Sequence, residues 1–300
     1  MTLADAYQNF IYHKKLQGVS PNTLTAYYFH IKKFLDYIGS DTPIESVTES
    51  RVNSYIMFLH GCGLSRNSVC TYIRNLRIIL TYIYNEWGLS FSPSKIRIPK
   101  APQKMAYIYS DDDIREIFQA ADSSSSVPWI SARNKALIAL MLDSGLRQGE
   151  VATLRTSNVF FEKKQLKVHG KGDKERFVPL GTLSMHLLQA YMDLCPFHDT
   201  PWVFCSDDGS ELSCGAIRTF MHRLAKSFHF PFFSHNLRHN YATNYCLYYL
   251  RKGQQADAYT LQQLMGHSSL VTTERYLHLA SSIFASESSV SHLDAIFGLS

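Results

Sequence analysis

Three hundred residues, 45% of them apolar, exceed one comfortable core and predict two domains of roughly 100 to 200 residues each. No apolar run is long enough to cross a bilayer, the start Met1-Thr2-Leu3-Ala4-Asp5 lacks signal-peptide character, and six cysteines without paired spacing predict reduced thiols. Membrane, secreted, disulfide-framework and zinc-site classes are therefore set aside for a protein expected in the cytoplasm. The formal charge of +5 lies wholly in the first third: residues 1–100 hold 11 Lys and Arg against 6 Asp and Glu, leaving 19 against 19 from the totals of 30 and 25, a distribution suited to phosphate tracking.

Leu3, Ala6, Tyr7, Phe10 and Ile11 recur at helical spacing and predict a first helix over residues 3–17. Ser20-Pro21 reads as an N-cap with proline in the first helical position, opening a second helix that Gly39 ends. A third runs from Thr48 to His60, where Gly61-Cys62-Gly63 stops it. A fourth starts at Ser65 and buries Val69, Ile73, Leu76, Leu80 and Ile83. Arg66, Arg74 and Arg77 on the fourth helix, with Asn22, Thr23 and Thr25 at the start of the second, suit phosphate contacts, although a solvated helix face reads the same way. From Ser92 to Lys104 three prolines in the first eleven residues oppose helix, so an extended basic tract exposing Lys95, Arg97 and Lys100 is expected. The boundaries placed are 1–97 for a helical domain, 98–106 for a linker and 107–300 for the second domain.

Ser110 caps the next predicted helix, and residues 132–142 are apolar on all sides, which implies a buried helix that delivers the chain to Gly145 and Arg147. Residues 165–169 and 176–179 alternate like strands around Gly170-Lys171-Gly172-Asp173-Lys174. Further helices are expected at 182–194, 213–228, 236–250, 259–265 and 272–280. Ser286 to Ser291 reads as a flexible tether to an apolar terminal helix carrying Leu293, Ile296 and Phe297. That helix has two expected docking places, its own domain or a neighbouring protomer.

Breaking a phosphodiester with a protein nucleophile requires neutralised phosphate oxygens, an aligned nucleophile and a protonated leaving group. Arg147 and Arg238 are candidates for the first need, since guanidiniums stay charged and donate in pairs. His235 and His239 stand four apart, but Asn-Leu-Arg between them supplies no carboxylate and a cation that would repel a metal, so no metal is expected. Tyr276 attacks well only where a base or positive charge takes up its proton. Glu150 is expected to buttress the arginine turn and His239 to pack or hydrogen-bond locally. Taken singly, each of these residues has a structural reading at least as good.

Their ordered set is more specific. Gly145-Leu146-Arg147-x-x-Glu150, Gly170-Lys171-Gly172-Asp173-Lys174-Glu175-Arg176, His235-x-x-Arg238-His239, Leu264-Met265-Gly266-His267 and Tyr276 resemble the tyrosine recombinase (phage integrase) family, in particular its Xer-like and transposon-borne members. The resemblance implies a mainly α fold with a small β-sheet: an N-terminal four-helix, SAM-like core-binding domain, then an α+β catalytic domain with an exchange tail over about residues 283–300. It implies cofactor-free strand exchange in which Tyr276 attacks the scissile phosphate to give a 3′-phosphotyrosyl link. Arg147, Arg238 and His267 would hold the phosphate, His235 would act as general base or further donor, and Lys171 would protonate the leaving 5′-oxygen. Lys174 is a second candidate in the same turn and a DNA contact. The implied partners are double-stranded DNA with inverted half-sites and a homotetramer on two sites, from a protein monomeric when free and associated with a bacterial nucleoid. Residues 247–259 are a few longer than in the simplest members, and no arm-site-binding domain is expected before the first bundle. Two other readings share the residues: a catalytically silent DNA-binding regulator and a type IB topoisomerase-like relaxing enzyme.

Overall fold

The computed structural model describes residues 1–100, 105–170, 174–288 and 292–297. The chain divides into two compact units, Met1–Lys104 and Met105–Ser300, each with its own apolar core. Most of the described structure is helical, with one small sheet.

The first unit is a bundle of α1 (Leu3–Leu16), α2 (Pro21–Ile38), α3 (Glu49–Gly61) and α4 (Arg66–Trp87). Thr2 and Asp5 exchange backbone and side-chain bonds in a capping box, and Thr48 and Ser65 cap α3 and α4. Ser20 does not cap with its side chain; its hydroxyl pairs with Thr23 Oγ1 at 3.0 Å, and Pro21 alone marks the start of α2. Phe10, Ile31, Phe34, Tyr55, Leu59, Ile73, Leu76 and Ile79 are fully buried between the helices. The proline-containing tract after α4 is less extended than its composition suggests. Pro93–Lys95 forms a 3-10 turn, Phe91 and Ile96 are buried on the bundle, and Cys70 Sγ donates to the Pro99 carbonyl at 3.0 Å. Apolar residues between the prolines hold this stretch to the core, so the free connection starts later than Ser92.

The second unit opens with α5 (Asp111–Asp122), α6 (Pro128–Asp143) and α7 (Gln148–Ala152). A three-stranded antiparallel sheet follows, β1 (Val159–Phe160), β2 (Gln165–His169) and β3 (Glu175–Pro179), with Leu166 opposite Val178 and Val168 opposite Arg176. Then come α8 (Thr182–Leu194), α9 (Cys214–Leu224), α10 (Ser234–Arg251), α11 (Ala258–Met265), α12 (Leu270–Ser288) and α13 (His292–Phe297). Every residue of α6 from Ala136 to Met141 is buried, as a helix apolar on all sides requires. A second cluster built from α10, α11 and α12 packs Tyr241, Cys246, Leu247, Leu261, Met265, Tyr276 and Ala280 together.

Three boundaries differ from the sequence reading. The helix expected over 213–228 ends at Leu224 and tightens into a 3-10 turn, Ala225–Ser227. Two-residue β1 is too short to alternate visibly. Helix α12 runs on to Ser288, so Ser286 to Ser288 are helical rather than a tether, because Ile283 and Phe284 continue the packing against α10 and override the weak propensity of serine. Among the described residues no helix is long and apolar enough to cross a membrane, and no group of three His, Cys, Asp or Glu side chains is placed to hold a metal ion.

Candidate active site

The site begins at the turn after α6. Ser144 donates its hydroxyl to the Pro179 carbonyl at 2.7 Å, fixing the end of α6 to β3. Gly145 follows with φ +63°, and a Cβ there would run into the Tyr241 ring, so both the backbone conformation and the space demand glycine. The turn places Arg147 at the N-cap of α7, where its N–H donates to Glu150 Oε2 at 2.8 Å and its Nη1 to Glu150 Oε1 at 2.7 Å.

Glu150 is buried and anchors more than one arginine. Arg176, on β3, donates Nη1 and Nη2 to its two carboxylate oxygens, both at 2.8 Å. Burial opposes ionisation of this carboxyl, but the bonds and charges of Arg176 and then Arg147 outweigh it and hold its pKa below the ordinary value. Arg238, on α10, is 1% exposed, donates to the Gly145 and Met265 carbonyls, and has Nη1 4.0 Å from Glu150 Oε2. Burial, and next the neighbouring Arg147, push its pKa down to about 10, which leaves it charged at neutral pH.

The end of α11 ties these arginines together. Arg176 Nε donates to the Leu264 carbonyl at 2.7 Å, Arg238 donates to Met265, and Arg147 Nη2 donates to Gly266 at 2.8 Å. Three guanidiniums from three elements thus occupy three consecutive carbonyls at a helix C-terminus, where unpaired acceptors and the negative end of the helix dipole favour cations. Gly266, left-handed at φ +59°, ends the helix and turns the chain to His267. Thr273, fully buried on α12, holds His267 Nδ1 at 2.9 Å, which leaves Nε2 as the nitrogen available to a ligand. Burial, followed by the charges of Arg238 and Arg147, lowers the His267 pKa to about 4.

Tyr276, one turn after Thr273, is 2% exposed. Its ring stacks on His267 with centroids 6.0 Å apart, Arg275 lies 5.0 Å over its face, and its hydroxyl is 2.6 Å from His239 Nδ1. Burial raises its pKa while Arg275 and Arg238 work the other way, so the phenol is protonated at neutral pH. His239 stands edge-on to the exposed His235 ring at 4.2 Å, and Arg275 Nη2 is 3.3 Å from both of its ring nitrogens. Burial, then His235 and Arg275, lower the His239 pKa to about 3. His235 is held below its usual value by the crowding protein, then by Arg238, Arg275 and Arg147.

Of the residues singled out in the sequence, Arg147, His235, Arg238, His267 and Tyr276 converge here. Lys171 lies outside the described residues; Lys174 is exposed beside β3. Arg66 and Arg74 are exposed along α4 and Arg77 is half-buried; among the described residues no carboxylate pairs with them. Asn22 is exposed on α2, whereas Thr23 pairs with Ser20 and Thr25 donates to the Pro21 carbonyl at 2.9 Å. Lys95 approaches Glu49 at 4.0 Å, and Arg97 and Lys100 are exposed. Sequence reasoning assigned no role to Arg176 or Arg275, missed Thr273, and expected His239 to pack or hydrogen-bond locally. One signal for Arg176 was present: it shares a strand face with buried Val178, so an arginine at an inward position demanded a buried partner.

The model of the phage integrase family matches residues 108–282, and that of the phage integrase SAM-like domain matches residues 2–96. The chain belongs to the phage integrase family. These are DNA strand-transferring enzymes, and the relatives of this integrase-family chain are named tyrosine recombinases. It is 27% identical to the tyrosine recombinase XerD of Listeria innocua serovar 6a over 289 residues, covering 92% of this chain and 94% of that one. Against the tyrosine recombinase XerC of Oceanobacillus iheyensis it is 27% identical over 275 residues, covering 88% and 87%. The fold is similar to that of the XerH site-specific recombinase bound to a palindromic difH substrate, with TM-score 0.72, 22% identity and 92% and 82% of the two chains covered. It is also similar to the Tn1549 transposon integrase in complex with a circular intermediate DNA, with TM-score 0.75, 16% identity and coverage of 100% and 98%.

Proposed function

We propose that this chain is a site-specific DNA recombinase that cuts and rejoins strands through a 3′-phosphotyrosyl intermediate, for integration and excision or for dimer resolution. The observation that carries the reading is the joining of Arg147, Arg238 and His267 through the end of α11, beside the hydroxyl of Tyr276. Two guanidiniums and an imidazole N–H suit the non-bridging oxygens of one phosphodiester, and they suit a pentacovalent transition state better, since it carries more negative charge. Tyr276 Oη forms the bond to phosphorus as the bond to the 5′-oxygen breaks. Lys171 is the proposed donor to that oxygen, and the exposed His235 adds a donor to the phosphate. The phosphotyrosine conserves the bond energy for rejoining.

The partner is double-stranded DNA with inverted half-sites, bound in the cytoplasm by a tetramer assembled on two sites. Phosphate contacts come from Arg66, Arg74, Arg77 and Asn22 of the first bundle, from Lys95, Arg97 and Lys100 after it, and from Lys174. Leu293, Ile296 and Phe297 of α13 are 60–72% exposed, an apolar face suited to a groove on a neighbouring protomer. The test is trapping on a nicked duplex that carries the recognised site. The wild-type protein is expected to give an SDS-resistant protein–DNA adduct and Tyr276→Phe none; an adduct with the phenylalanine variant would remove Tyr276 as nucleophile. Arg147→Ala is expected to abolish the adduct while leaving most of the binding.

A further inference from the structure

In the recombinase reading the Tyr276 proton needs a destination, and the base that the resemblance offers for it is His235. The exposed His235 ring makes no hydrogen bond to the phenol. His267 is held through Nδ1 by Thr273 and faces the tyrosine ring rather than its hydroxyl. Among the described residues the side chains that meet the Tyr276 hydroxyl are His239, 2.6 Å away through Nδ1, and Arg275, whose guanidinium can donate to the oxygen but cannot take its proton. His239 is on α10, one residue after Arg238, so the helix that supplies a phosphate ligand also supplies the partner of the nucleophile.

We propose that His239 is a catalytic residue, the acceptor of the Tyr276 proton during strand cleavage and its donor during rejoining. As Tyr276 Oη bonds to phosphorus, its O–H bond breaks and the proton passes to His239 Nδ1, while the 5′-oxygen leaves with its electron pair and takes a proton from the acid on its own side. Rejoining runs the transfer backwards, the imidazolium returning the proton to the departing phenolate. The inference rests on the recombinase reading for the nucleophile and adds the atom that receives its proton.

The charges around His239 explain how it can be idle without DNA. The groups facing it are His235 and Arg238 on α10, Arg275 and Tyr276 on α12, and His267 in the turn between α11 and α12. Burial first, then His235, Arg275, Arg238 and His267, weaken its hold on a proton. A phosphodiester seated on Arg147 and Arg238 brings a negative charge into that field and restores basicity at the time the nucleophile is needed. A water-filled site then has no competent base, which protects the buried phenol from idle ionisation.

Two substitutions separate proton acceptance from positioning. His239→Gln keeps an amide oxygen that accepts from the phenol but cannot hold its proton; His239→Ala leaves space for added imidazole. Both are compared with wild type on a nested set of nicked duplexes, made from the sequence the protein selects out of a random pool, with thermal melting and DNA binding measured alongside. A second set carries sulfur in place of the 5′-bridging oxygen, a leaving group that departs without a proton. The expected result is a loss of about 100-fold or more in the rate of adduct formation for both variants on both leaving groups, with unchanged binding and partial rescue of His239→Ala by imidazole. Wild-type-like cleavage by His239→Gln, within about threefold, would reduce His239 to a positioning residue and overturn the proposal. So would a defect that disappears with the sulfur leaving group, which would put His239 on the other side of the phosphorus. If wild-type protein gives no adduct with either leaving group, the recombinase reading falls and this inference falls with it.

Discussion

At the scale of single residues the site is a set of neutral imidazoles kept among charged guanidiniums, and its acid stability follows from that. His239 and His267 have folded pKa values of about 3 and about 4, below the unfolded value of 6.5, so between those limits the unfolded chain binds more protons. Their contribution is complete above pH 6.5 and is lost as pH falls. We expect stability to drop by on the order of 1 to 2 kcal/mol between pH 6.5 and 5, once solvent screening is allowed for, as measured by denaturant unfolding, with His239→Gln flattening this limb. The paired Glu150 adds its own loss only at lower pH, near and below the carboxylate range. Arg176 never needs to meet a phosphate to matter. Arg176→Met leaves a buried carboxylate short of two bonds and the Leu264 carbonyl unpaired, and is expected to cost about 3 kcal/mol, seen as a fall of roughly 10 °C in Tm, together with most of the cleavage activity. Arg176→Lys should restore little, because one ammonium cannot span two carboxylate oxygens and a carbonyl. The sequence displayed Arg147, Arg238, His267 and Tyr276 through the order and spacing of their motifs. It hid the pairing of His239 with Tyr276, since a polar residue in a helix interior announces no partner 37 positions away.

At the scale of elements, the helices were legible where the apolar pattern was strong, as a spaced stripe in α4 or an all-round run in α6, and indistinct where tertiary contacts decide the outcome. The tract from Phe91 to Ile96 reads as linker by its prolines and folds against the bundle by its apolar side chains. The end of α12 from Ser286 to Ser288 reads as flexible by its serines and stays helical by the packing of Ile283 and Phe284 before it. The turn between α6 and α7 is the element on which the arginines depend most. Gly145→Ala should cost about 3 kcal/mol, from the left-handed backbone and from contact with the Tyr241 ring. Trimming the ring with Tyr241→Ala should recover part of that in the double variant, so a double-mutant cycle on unfolding free energy should give a favourable coupling between the two substitutions. Additive losses would show that the backbone conformation alone, and not the ring, excludes a side chain at position 145.

At the scale of the whole chain there are two units, each with its own core, and the proposed function divides between them as a basic helical unit and a unit for the chemistry. The division of charge was legible at once, because counting needs no structure; which basic side chains meet DNA was not, because exposure alone does not single out a phosphate contact. If Arg66, Arg74 and Arg77 each neutralise one phosphate, replacing all three by alanine should lower the slope of log affinity against log salt by about 0.9 per residue, with little change in sequence preference. An unchanged slope, measured by fluorescence anisotropy across a salt series, would move the DNA contacts to another face of the bundle. The grip of three arginines on the carbonyls of Leu264, Met265 and Gly266 has a different kind of consequence. The acceptors are main-chain atoms, so side chains at 264 and 265 are free to drift among apolar types while the geometry of the site stays fixed. The feature that most firmly aligns the proposed phosphate-binding groups is therefore one that residue-by-residue comparison of proteins does not register.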